Sequence, residues 1–225
     1  AAWADRIFTL GPGQFYSAEM FTDYPPGFMY VLYLIGALRS LLQIPYYSDL
    51  HILLLKLPAI LCDIACGFLL YREAVKRLHF SDLQGIFAAS AYLFQPAVIL
   101  NSSCWGQVDS VYTLMIILMC LFLMKGNLLP AYAVYGLGVL LKPQMLIFTP
   151  VLLAGIWDHV FLQDFSWRKF FYNLCGGLVV ICGMLLLCAP FGLTAAISQY
   201  TSTLGSYEYA AVSYTHLRAH ETCAD

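Results

Sequence analysis

Charge is scarce in this chain. Among its 225 residues only 11% are Asp, Glu, Lys or Arg, the net charge is −2, and no basic block occurs. A groove for nucleic acid is therefore not expected. Catalytic signatures of soluble enzymes are missing too: there is no GxxxxGK[ST] loop, no HExxH and no GxSxG. The five His show no metal spacing. Eight Cys are present (Cys62, Cys66, Cys104, Cys120, Cys175, Cys182, Cys188 and Cys223), but without ligand-like CxxC pairs. Most sit inside apolar runs, where Cys acts as a small apolar packer rather than as a disulfide or zinc ligand. No internal repeat, low-complexity segment or second soluble domain is evident.

What is abundant is apolar surface. The chain is 61% hydrophobic, with a mean hydropathy of +0.74. Soluble domains are about half apolar and a quarter charged, so the composition predicts an all-α, polytopic transmembrane helical bundle. The apolar runs fall at 51–71, 85–100, 110–124, 128–141, 145–157 and 171–190. They read as six spans, two of them short against the ~20 residues of a full crossing.

Lys and Arg gather on the cytoplasmic side of membrane proteins. The clusters are Arg72, Lys76 and Arg77, then Lys125, then Arg168 and Lys169. Placing all three inside makes the six runs alternate without conflict. Residues 44–50, 101–109, 142–144 and 191 onward then lie outside. The apolar stretch 25–44 is different. Arg39 interrupts it, and Tyr24, Tyr30, Tyr33, Tyr46 and Tyr47 suit an interfacial belt. It is expected to be a juxtamembrane or re-entrant helix on the outer face.

Four polar patches then share that face: TDYPPG, NSSCWGQVD, KPQ and TLGSYEY. Asp23 and Tyr24 stand beside the Pro-Pro turn. Trp105 suits an interfacial anchor or a surface for a sugar ring. Gln107 offers donors and acceptors to sugar hydroxyls. Asp109 fits both a site carboxylate and a plain N-cap for a helix starting at Ser110. Lys142 is followed by Pro143 and Gln144, which break the helix where a polar pocket can open. Its ammonium suits a lipid phosphate, or it snorkels. Tyr207, Glu208 and Tyr209 fit a solvated loop. Within the first full span, Lys56 and Asp63 lie two turns apart on one side, ~10 Å along the axis and so not directly paired. Intramembrane ionisable groups usually face a bundle interior or a wet cavity.

Taken in order, these patches resemble the GT-C superfamily of membrane glycosyltransferases that use polyprenyl-phosphate sugars. The likeness covers about Trp3 to Val212. It points to bacterial proteins related to the mannosyltransferase that adds the second mannose to GPI anchors. A more distant likeness is to endoplasmic-reticulum glucosyltransferases that extend lipid-linked oligosaccharides. There a DYPP patch matches TDYPPG, an Arg and an Asp seven apart match Lys56 and Asp63, HFQYN stands where WGQVD is, and KQM resembles KPQM.

The resemblance implies inverting transfer of a sugar, with mannose the first candidate, from a polyprenyl-phosphate carrier to a lipid or glycan acceptor hydroxyl. The enzyme would be a multi-pass protein of the bacterial plasma membrane, with its active face extracytoplasmic. Donor or substrate contacts would come from Asp23, Tyr24, Lys56, Asp63, Trp105, Gln107, Asp109, Lys142 and Gln144. No cofactor is expected; a divalent metal is left open.

The family's catalytic Asp would fall five residues before Ala1. The expectation is therefore an N-terminally truncated domain over 1–212, inactive by itself, with Asp23 positioning rather than acting as base. Residues 213–225 resemble a spurious tail, VSYTHLRAHET, and are set aside. A transporter or lipid flippase built on Lys56 and Asp63 is the alternative; a structural subunit of a membrane complex is a third.

Overall fold

A computed structural model describes residues 1–16, 24–163 and 165–206, and every regular element among them is helical. Asp23, Tyr207–Tyr209 and the tail from Ser213 lie outside the described residues.

The first long helix, α3 (Asp49–Lys76), starts where the sequence supplies a cap: the Ser48 side chain accepts from the His51 N–H at 3.3 Å. Its 28 residues extend about 42 Å, more than a ~30 Å hydrocarbon layer needs. Helix α4 (Asp82–Leu93) opens with a capping box between Ser81 and Gln84. Here the structure departs from the expected straight span 85–100. Gln95 is extended ahead of Pro96, and the chain bends by 50° into a second helical stretch, Pro96–Trp105. Proline has no N–H and pushes its predecessor out of the helical region, so the apolar run conceals a break. The second stretch comprises α5 (Pro96–Ile99) and a π-helical turn, Leu100–Trp105.

Helices α6 (Asp109–Met124) and α7 (Leu128–Leu141) form an antiparallel hairpin closed by Lys125, Gly126 and Asn127. Gly126 has φ +72, a conformation that favours glycine. With 16 and 14 residues, these helices reach about 24 and 21 Å, short of a full crossing. Both are sheltered by packing: Met119, Leu128, Ala131, Tyr132, Met145 and Val160 form one buried core.

The next stretch is longer than the expected 145–157. A 3-10 turn (Pro143–Phe148), α8 (Thr149–Trp157) and a π turn (Asp158–Leu162) make 20 continuous residues. Helix α9 (Trp167–Cys188) continues into a 3-10 turn ending at Phe191. Among the described residues, then, Asp49–Lys76, Pro143–Leu162 and Trp167–Phe191 are long and apolar enough to span, and the bent pair makes a fourth. Large apolar side chains such as Leu34, Phe68, Phe87 and Leu186 face outward. That surface suits lipid rather than water.

Helix α1 (Ala2–Leu10) crosses α2 (Pro26–Leu41), the helix expected to lie along the surface. A Cβ on Gly36 would sit 2.6 Å from the Ala4 carbonyl oxygen, so the two backbones touch. At the start of α2, a Cβ on Gly27 would sit 2.6 Å from the carbonyl oxygen of Leu140. At its end, Arg39 lies 5.7 Å over the Tyr46 ring, and Tyr46 packs 5.5 Å from His51. Leu140 and His51 belong to the same end of the bundle, so α2 runs across that end instead of crossing to the other. Helix α10 (Leu193–Ser206) follows the last span.

Candidate active site

The hairpin decides the site. Its closed turn at 125–127 places the start of α6 beside the end of α7. Asp109, in the first turn of α6, and Lys142, just past α7, thus meet at the open end. Lys142 Nζ donates to Asp109 Oδ1. Lys142 is extended (φ −151, ψ 124), as a residue before proline must be. The other oxygen, Asp109 Oδ2, accepts from Asn101 Nδ2 at 3.0 Å. The Lys142 side chain is 14% exposed and that of Asp109 40%. The pair is thus buried on the lysine side and open to solvent on the carboxylate side, which screens it in part.

Of the two roles that the sequence left open for Asp109, the plain N-cap is not found. Val108 holds that position, and no side chain caps the helix. The carboxylate still gains from the positive helix terminus, but its hydrogen bonds go to Lys142 and Asn101.

Asn101 belongs to the bent pair, whose π turn wraps this corner. π turns often mark functional sites. Gly106, with φ +76, ends the turn, and the Gln107 N–H donates back to the Asn101 carbonyl at 2.9 Å. Trp105 stands at the tip with 67% of its surface exposed. Gln107 Oε1 accepts from the Tyr24 hydroxyl at 3.5 Å, which ties the turn to the start of α2. Tyr24 in turn packs edge-on against Trp3 at 5.7 Å, and its carbonyl accepts from the Tyr16 hydroxyl at 2.9 Å. Burial raises the Tyr16 hydroxyl above the ordinary tyrosine range, so it stays a donor.

Lys56 and Asp63 both reach the bent stretch Asp82–Trp105, as their spacing on one side of α3 predicts, but they meet different partners. Lys56 Nζ donates to the Cys104 carbonyl at 2.9 Å and thereby holds the π turn. Asp63 is 5% exposed, and its Oδ1 accepts from the Tyr92 hydroxyl of α4 at 2.9 Å. Lys56 is thus at the rim of the site, while Asp63 belongs to the α3–α4 contact below it. The two do not form one intramembrane ionic site.

Gln144 lies next to Lys142. Its carbonyl accepts from the Tyr112 hydroxyl at 3.3 Å, and its side-chain Oε1 is buried without a protein donor. A buried acceptor left open in this way is suited to a hydroxyl. Six sequence candidates (Tyr24, Trp105, Gln107, Asp109, Lys142 and Gln144) therefore gather at one end, with Lys56 supporting them. Asn101 was missed. It opens the polar stretch NSSCWGQVDS, and only the fold shows that its amide reaches Asp109. Among the described residues no three His, Cys, Asp or Glu come together in a metal-holding group.

The opposite end groups as the charge pattern predicts. Arg77 Nη1 donates to Met124 Sδ at 3.0 Å, and His159 Nε2 lies 2.9 Å from the Leu123 carbonyl. The 72–77, 125–127 and 158–163 segments thus sit together, away from Asp109 and Lys142.

The family model of glycosyltransferase family 87 matches residues 21–220 of the chain. No curated protein and no solved structure matches.

Proposed function

The chain belongs to glycosyltransferase family 87, and from that premise we propose that its polar corner transfers a sugar from a polyprenyl-phosphate carrier to an acceptor hydroxyl. The observation that carries this reading is the Lys142–Asp109–Asn101 arrangement beside exposed Trp105. Mannose is the first candidate sugar, and the acceptor is a lipid or glycan. By the clustering of Lys and Arg at the other end, the corner faces the extracytoplasmic side of a bacterial plasma membrane.

In this reaction the acceptor oxygen attacks the anomeric carbon from the face opposite the phosphate. The bond from that carbon to the phosphate oxygen breaks, and its electron pair leaves with the lipid phosphate. The configuration inverts. Charge grows on the departing phosphate, and a fixed cation in a partly dry site stabilises it best. Lys142 is that cation. Asp109 keeps it aimed, and Asn101 fixes Asp109. Trp105 offers a face to the sugar, while Gln107, Tyr24 and Gln144 offer hydrogen bonds to hydroxyls. The acceptor proton goes to a carboxylate. Asp109 is committed to aiming Lys142, and we assign the base to a different carboxylate.

The test is product formation. Vesicles holding the full-length protein are supplied with polyprenyl-phosphate-mannose or polyprenyl-phosphate-glucose, and products are identified by mass spectrometry and anomeric NMR. An inverted glycoside from one donor is expected. Movement of donor across the bilayer with no glycoside formed would overturn the reading in favour of transport.

A further inference from the structure

At the end of α2, two buried hydrogen-bond donors have no acceptor. His51, in the first turn of α3, is 1% exposed, and its Nε2 has no partner among the described residues. Arg39 Nε, in the last turn of α2, is buried and without an acceptor in the same way. Buried donors are rarely left open, because each forfeits its bond to water. The Tyr46 ring lies against both side chains, 5.7 Å from the Arg39 guanidinium and 5.5 Å from the His51 ring.

Local bonding fixes what these groups offer. Tyr47 is held at φ +61, a left-handed conformation rare for a bulky residue. There its N–H donates to His51 Nδ1 at 3.2 Å. With Nδ1 accepting, the ring proton sits on Nε2 and the imidazole is neutral. Arg39 is cationic, but its Nη2 donates to Asp5 Oδ1, which offsets the charge. The cluster is therefore neutral as a whole, and a bare anion would meet the Asp5 carboxylate. A hydroxyl oxygen suits the two donors better. A carboxylate has about four acceptor sites; Arg39 takes one, and the Asp5 side chain is 36% exposed. A neighbouring hydroxyl can thus donate to Asp5. Tyr46, 45% exposed, adds an apolar ring face with a polar tip. Two donors, a carboxylate and an aromatic face together suit a ring that carries adjacent hydroxyls.

We propose that Arg39, His51 and Asp5 bind a neutral polyol ring beneath Tyr46, which swings aside to admit it. The pocket is set apart from the polar corner. Gly27 packs on Leu140 at the end of α7, and Arg39 lies twelve residues further along α2, a distance of ~18 Å. A donor sugar whose phosphate meets Lys142 does not reach that far. On the sugar-transfer reading, on which this assignment alone rests, the ring belongs to the acceptor and sits beyond the sugar that receives the new bond.

The test reads binding without turnover. The full-length protein in phosphatidylcholine nanodiscs is titrated with mannotriose, with myo-inositol and with inorganic phosphate, and binding is followed by ligand-observed NMR. At least one polyol is expected to bind, and phosphate is expected not to displace it. Binding of mannotriose alone marks a glycan as the source of the ring; binding of inositol alone marks a lipid headgroup. Arg39→Lys can keep the pair with Asp5 but lacks the Nε donor, so affinity should fall about 10–100-fold. His51→Asn keeps an acceptor for the Tyr47 N–H and loses the distal donor, for a fall of about 3–10-fold. His51→Gln restores an N–H near the place of Nε2 and should recover most of that loss. Displacement of the polyol by phosphate would overturn the proposal. So would equal affinity in the wild type, Arg39→Lys and His51→Asn. Failure of both polyols to bind would also overturn it, leaving a buried water as the bridge between the donors. A protein that binds a polyol in this way but forms no glycoside would overturn the sugar-transfer reading and leave the pocket standing.

Discussion

Lys142 and Asp109 lie 33 positions apart in the chain and form an ion pair across the open end of the α6–α7 hairpin. One residue comes from a helix start and the other from a helix end, so the pair exists only because the hairpin folds. Removing either charge should destabilise the hairpin. Lys142→Met leaves Asp109 short of a cation, and Asp109→Asn does the reverse. A double-mutant cycle on thermal or denaturant unfolding should give a coupling of about 1–3 kcal/mol, between the limits for exposed and buried pairs. A coupling near zero would mean the pair does not persist.

Asn101 should matter through Asp109. Asn101→Ala removes one hydrogen bond to a carboxylate, at a cost of about 1.5–3 kcal/mol. Asn101→Asp sets two carboxylates against each other and should be worse. On the functional reading, turnover falls more in Asn101→Asp than in Asn101→Ala, and Lys142 loses its alignment in both. Equal activity of the two variants would detach Asn101 from the site.

Lys56 acts on the backbone. Lys56→Met frees the Cys104 carbonyl and should speed amide hydrogen exchange over residues 101–107. Gly106→Ala should do the same from the other side, because φ +76 costs a residue with a Cβ about 1–2 kcal/mol. Exchange unchanged in both would show that the π turn is held by other contacts.

Asp63 should prove structural. Asp63→Asn keeps an acceptor for the Tyr92 hydroxyl and should leave sugar transfer within about twofold. Asp63→Leu strands that hydroxyl in the membrane interior and should lower stability by about 1–3 kcal/mol, again with the chemistry retained. Loss of transfer in Asp63→Asn, in a protein of normal stability, would restore Asp63 to the site.

Much of this was legible in the sequence. The span read from its apolar run at 51–71 is found, lengthened to Asp49–Lys76 behind a Ser48 cap that the reading did not use. The break after Lys142 follows from Pro143. The surface course of α2 follows from Arg39 and its tyrosines. What the sequence concealed were events inside apolar runs. The Gln95–Pro96 bend is flanked by apolar residues on both sides, so hydropathy reads straight across it. The shortness of α6 and α7 was legible, since the runs 110–124 and 128–141 match Asp109–Met124 and Leu128–Leu141 almost residue for residue; only the neighbours that shelter them had to come from the fold. Long-range partners were concealed altogether. Nothing local to Asn101 says that it reaches Asp109, and nothing local to Asp5 says that it pairs with Arg39.

The central claim, that Lys142 meets the phosphate of the sugar donor, is tested most directly by the donor KM of Lys142→Ala in the full-length enzyme. Loss of a charge-assisted contact of about 1.5–3 kcal/mol predicts a loss in donor kcat/KM of about 10–100-fold, with kcat falling as well as donor KM rising because the contact strengthens in the transition state, and acceptor KM unchanged. A variant with wild-type donor KM and turnover would contradict the account.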